Sequence, residues 1–125
     1  MTLLQCTKNQ IYVKFQLEGI HSYPQALTDP KLKDVSFLGH PHRHLFNFVV
    51  SIDVFHNDRD IEFILFKRWC VSLFDTGVLE LDYKSCEMIA DKLAKEINDK
   101  YPGRSITIEI SEDNENGCIK SYIPV

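Results

Sequence analysis

Three of the five histidines alternate at His40, His42 and His44, and His21 stands well upstream of them. In extended backbone, residues i and i+2 share a face at a spacing of roughly 7 Å. Two imidazoles so placed reach one metal ion with little backbone distortion. His21 is the obvious third ligand, and three protein nitrogens with an open fourth position is how catalytic zinc is held. Taken alone, an H-x-H pair is better explained as polar residues at an exposed strand edge. The weight of the signal comes from the elements that would position it.

Gln10 to Leu17 alternates Ile11, Val13, Phe15 and Leu17 against Tyr12, Lys14 and Gln16, which predicts a half-buried strand. Residues 19–41 then hold two of the five glycines and three of the five prolines, a long irregular excursion that ends at the histidines. The stretch from His44 to Phe55 is the clearest strand of the chain. Asn57, Asp58 and Asp60 are able to cap a helix predicted over 61–74, whose wide apolar arc suggests burial on more than one side. Ser85 caps a second helix with Glu87 in its first turn and the stripe Cys86, Ile89, Ala90, Leu93, Ile97, stopped by Pro102-Gly103. Ile106, Ile108 and Ile110 mark a strand over 105–111. Turn residues at 114–117 precede a last strand over 118–123. The order strand-strand-helix-helix-strand-strand predicts one α+β domain over 1–125, a four-stranded antiparallel sheet with two helices on one face.

The chain has 125 residues and a formal charge of −4, from 14 Lys+Arg against 18 Asp+Glu. A phosphate backbone needs a basic face, so nucleic acid is not an expected partner. The apolar runs are too short to cross a bilayer, and no signal peptide is visible. Cys6, Cys70, Cys86 and Cys118 lack C-x-x-C spacing and read as reduced thiols of a cytoplasmic protein. Cys70 and Cys86 read as small apolar packing groups. Trp69 reads as core and His56 as an exposed turn residue.

With its histidines, this order of elements resembles the tunnelling-fold family of 6-pyruvoyl tetrahydropterin synthase and 6-carboxytetrahydropterin synthase. Phe15 to His21 is similar to the family's first strand, which ends in a zinc-binding histidine. His42-Arg43-His44-Leu45-Phe46 resembles its His-Gly-His-x-aromatic segment, with Arg43 in the glycine's place. Pairing His40-Pro41-His42 with that segment would keep the same facing. His42 and His44 fit better, because Phe46 then falls where the family's aromatic falls, and His40 remains a substitute ligand or a donor behind the ligands. Glu62-Phe63 stands where the family has Asp-Phe, and Ser85-Cys86-Glu87 resembles its Thr-Ala-Glu. Ile108 to Glu112 looks like the strand that ends in the pterin-anchoring glutamate.

The resemblance implies zinc on His21, His42 and His44, and a pterin or purine-type ring held by Glu112. One carboxylate accepts both the ring N–H and the exocyclic amine of such a heterocycle. Glu112 also opens the acidic run Glu112-Asp113-Asn114-Glu115, which on its own reads as a solvated turn. The resemblance further implies a homo-oligomeric barrel, hexamer or tetramer, with the face of Tyr12, Lys14 and Gln16 lining a channel. The implied reaction is that of a lyase on dihydroneopterin triphosphate.

The family's proton carriers match less well. No cysteine lies between His21 and His42, and the position four before His42 is Leu38. Asp75 matches the aspartate of the family's Asp-His pair and is the catalytic candidate, but Thr76 replaces the histidine. A threonine is no general base near neutral pH without strong activation. A non-catalytic protein that sequesters or senses a purine nucleotide is the alternative expectation.

Overall fold

Period-two alternation along three long segments decides the sheet, because each puts its apolar set on one face. Residues 1–74 and 77–125 are described by the computed structural model. The elements run β1 (Gln10–His21), β2 (His42–Asp53), α1 (Phe63–Ser72), β3 (Leu79–Glu80), α2 (Cys86–Lys100), β4 (Ile106–Glu112) and β5 (Asn116–Tyr122). Two 3-10 helices, Pro24–Leu27 and Pro30–Gly39, carry the chain from β1 to β2. The irregular excursion is therefore shorter than its composition suggests, since residues 19–21 belong to β1.

The architecture is α+β, as expected, but among the described residues the sheet has five strands and is mixed, in the order β3-β1-β2-β4-β5. The four long strands pair antiparallel, while β3 adds parallel to β1 through Gly19–Leu79 and Ile20–Glu80. The expected four-stranded antiparallel sheet thus omits one edge strand. A two-residue strand has too few positions for alternation to reveal it.

Val13 and Phe15 of β1, Phe46, Phe48, Val50 and Ile52 of β2, and Ile106, Ile108 and Ile110 of β4 are buried in one core. The α2 residues Ile89, Ala90, Leu93, Ala94 and Ile97 join it, as do Phe66 and Cys70 of α1. The stacked rings of Phe15 and Phe48, 4.7 Å between centroids, tie β1 to β2 at its centre. Ser85 caps α2 by accepting from the Met88 N–H at 3.2 Å, as its sequence signature predicts.

Two expectations for α1 need correction. Its cap is Glu62, which accepts from the Leu65 N–H at 2.8 Å, rather than the 57–60 cluster. Asp60 instead pairs with Arg104 at 2.7 Å. Nor is α1 buried on more than one side: Phe63, Ile64 and Leu65 are 54%, 52% and 63% exposed. The helix packs chiefly on β1, and Phe63, Ile64 and Leu65 on its outer side stay exposed among the described residues. Among the described residues no helix is long and apolar enough to cross a membrane.

Candidate metal centre

Antiparallel pairing of β1 with β2 sets His21 directly opposite His42 and Gly19 opposite His44. All three histidines point to the face that carries the core, at the end of the strands where the apolar alternation runs out. Phe46 lies one step further in, with its ring edge-on to His21 and His44 at 5.3 and 5.9 Å, and is fully buried. The imidazoles meet nearly at right angles, with centroid separations of 4.7 Å (His21–His42), 5.3 Å (His21–His44) and 4.8 Å (His42–His44). One ring nitrogen from each lies within 4.8 Å of the others.

The outer nitrogens are all engaged. His21 Nδ1 lies 2.8 Å from the Lys84 carbonyl, His42 Nδ1 2.8 Å from the His40 carbonyl, and His44 Nδ1 2.7 Å from Asp113 Oδ2. Carbonyl and carboxylate oxygens only accept, so each Nδ1 carries the proton and donates it. In the neutral rings that fixes one tautomer and leaves each Nε2 with its lone pair, the arrangement by which metal-binding histidines are held. Lys84 reaches its place because the segment after β3 is strapped to the end of β1, through Leu81 N–H to Ile20 O at 2.9 Å and Ser22 N–H to Asp82 O at 2.8 Å. Asp113 begins the β4–β5 turn in the left-handed region (φ 56°). From there it exchanges two 2.8 Å bonds with the Leu45 backbone while accepting from His44. These two donors hold the Asp113 carboxyl below its ordinary value, the His44 bond being the larger cause.

Glu112 closes the group from β4, where it pairs with Phe46. Its Oε2 is 3.0 Å from His44 Nε2 and its Oε1 is 3.4 Å from His21 Nε2. Yet His44 Nε2 is buried and makes no hydrogen bond, to Glu112 or to any other group among the described residues. A lone pair and a carboxylate oxygen this close repel unless a positive centre lies between them. An orphaned buried nitrogen, three fixed tautomers and a neighbouring carboxylate fit a divalent transition metal, for which imidazole is a favoured ligand. A cleft of about 630 Å³ opens on the cluster, lined by His21, His42, Glu112, Cys86, Tyr83 and Leu38 among others.

Comparison with protein-family models finds no match for this chain, and comparison with curated proteins finds none either.

Four of the sequence-predicted site residues, His21, His42, His44 and Glu112, come together. Asp75, the catalytic candidate, lies with Thr76 outside the described residues. His40 is exposed and serves the cluster through its carbonyl rather than its ring. Leu38, four residues before His42, lines the cleft with an apolar side chain.

Sequence reasoning missed three contributors. The Asp113 side chain and the Lys84 carbonyl orient two of the imidazoles, and only the acid next to Glu112 left any trace in the sequence. Cys86 packs in the core as expected but also sits with Sγ 3.9 Å from Glu112 Oε1. Burial, helped by the neighbouring Glu112 charge, pushes its thiol up to about 12. It is therefore a neutral S–H donor near neutral pH, not a thiolate nucleophile.

Proposed function

We propose that this is a zinc-dependent protein of the 6-carboxytetrahydropterin or 6-pyruvoyl tetrahydropterin synthase type, binding a pterin or purine-type ring beside its metal centre. The observation that carries the reading is the set of three imidazoles whose Nδ1 atoms are all engaged and whose Nε2 atoms converge. Zinc there would polarise an oxygen of the ligand's side chain. His21, His42 and His44 would hold it, with Lys84, His40 and Asp113 keeping the rings oriented. Glu112 offers two carboxylate oxygens at the cleft wall for the paired N–H groups of the ring. The cleft, at about 630 Å³, falls in the size range of small-molecule sites.

A specific observation favours the non-catalytic use of this site. Leu38 contributes no proton acceptor, Cys86 is held as a neutral thiol, and Thr76 stands in the sequence where the family has a histidine. On this reading the protein retains a purine or pterin ligand without converting it. A cytoplasmic setting suits the four free cysteines. Assembly into a homo-oligomer, hexamer or tetramer, would cover the exposed Phe63, Ile64 and Leu65 of α1 and the open face of the sheet.

The deciding experiment has two stages. Metal analysis is expected to find stoichiometric zinc in the native protein and a much smaller content in His42→Ala; equal metal in both would end the proposal. A panel of pterins and guanine nucleotides is then screened by thermal shift, since a ligand that binds only the folded state raises Tm. Incubation with dihydroneopterin triphosphate separates the two uses: product formation marks the lyase, and return of the unaltered compound marks the binder.

A further inference from the structure

Glu112 lies closer to the histidines than the wall of a cleft requires. Its two oxygens are 3.0 and 3.4 Å from the Nε2 atoms of His44 and His21. In a tetrahedral zinc site with bonds of 2.0–2.1 Å, neighbouring ligand atoms are about 3.3 Å apart, the edge of the tetrahedron. The contacts also fail as hydrogen bonds, which leaves His44 Nε2 orphaned. Ligands of one cation approach each other closely without bonding to one another, and the His44 Nε2 and Glu112 Oε2 atoms do so.

The Glu112 side chain is further constrained from behind. It extends from the last residue of β4, with Phe46 across the ladder, and the Cys86 thiol reaches Oε1 from the first turn of α2. The next residue, Asp113, is clamped to Leu45 on both its N–H and its carboxylate. The carboxylate thus faces the cluster from a fixed stretch of backbone and has only its own torsions to turn with.

We propose that Glu112 is a fourth metal ligand in the protein without its organic ligand, and that a ring entering the cleft draws it off the cation. The second half rests on the proposed function; the first does not. One carboxylate then alternates between two partners. The position on the metal opens only when a ring with paired N–H donors is there to take the carboxylate. A molecule lacking those donors meets a closed centre, which adds selectivity to the contacts of the cleft itself.

The test uses the full-length protein loaded with cobalt(II) in place of zinc, followed by its d–d absorption and titrated with imidazole. Imidazole is uncharged, so loss of the carboxylate charge does not by itself alter its binding. A ligand that occupies the fourth position nine-tenths of the time weakens the probe about tenfold. Glu112→Gln and Glu112→Ala are expected to retain the metal and to bind imidazole at least about tenfold more tightly than the native protein. Equal imidazole affinity in the native protein and both variants would overturn the fourth-ligand assignment while leaving the three-histidine centre standing. Failure of the native protein to take up cobalt or zinc would overturn both.

Discussion

His44 Nδ1 lies 2.7 Å from Asp113 Oδ2, and this contact turns the other nitrogen of the ring toward His21 and His42. Partners behind metal-bound imidazoles are commonly worth 10- to 100-fold in metal affinity. Asp113→Asn keeps a neutral acceptor and tolerates the left-handed backbone that Asp113 adopts. Zinc affinity, measured by competition with a chelator, is expected to fall by about tenfold in Asp113→Asn and toward 100-fold in Asp113→Ala. Stoichiometry is unchanged in both. Native affinity in Asp113→Ala would mean the tautomer is held by something else.

Gly19 faces His44 across the β1–β2 ladder, and a Cβ there would come within 2.8 Å of Phe46 Cε2 and of Leu81 Cδ1. Phe46 is fully buried and cannot step aside without disturbing the floor under His21 and His44. Gly19→Ala is expected to cost about 1–3 kcal/mol, the range for overpacking a filled core. Urea unfolding gives the stability, and metal affinity should fall with it. A variant with native stability and native affinity would place slack in the core beside the centre.

The Asp60–Arg104 pair, 2.7 Å apart, ties the loop before α1 to the start of β4. Hydrogen bonds from Arg104 and from the Phe55 N–H hold the Asp60 carboxyl below its ordinary 3.8. A carboxyl with a lowered folded-state pKa contributes stability that is complete above the unfolded value and lost as pH falls through the folded one. Asp60→Asn is therefore expected to be less stable than the native protein at neutral pH. The gap should close as pH drops below about 3.8, where the native carboxyl takes up its proton. Urea midpoints across that range test it. A gap that stays constant with pH would show that charge on Asp60 contributes nothing.

Legibility from sequence differed from element to element for physical reasons. The strand from Gln10 onward was visible because Ile11, Val13 and Phe15 alternate with polar neighbours, and α2 because Ile89, Leu93 and Ile97 repeat at helical spacing behind a Ser85 cap. Helix α1 misled because Phe63, Ile64 and Leu65 are as apolar as core residues while lying on the outer side. Sequence pattern records which side chains avoid water; it does not record whether the cover is supplied within the chain. The extension of β1 to His21 was implied by the family resemblance but not by the alternation, because Gly19 breaks the apolar pattern where Phe46 and Leu81 need the space.

The sequence by itself determined the two-layer class and the facing of His42 and His44, since strand periodicity assigns side chains to faces, whereas His21 stood out only as an upstream histidine and Glu112 only through the family resemblance. Which nitrogen each imidazole presents was decided only by the tertiary structure. The Lys84 carbonyl, the His40 carbonyl and the Asp113 carboxylate are brought to the rings by the strap after β3, the end of the second 3-10 helix and the β4–β5 turn. Backbone acceptors carry no residue signature, so no reading of residue types could have found two of the three. Register set their distance, and distance is what separates a ligand cluster from histidines that merely share a strand.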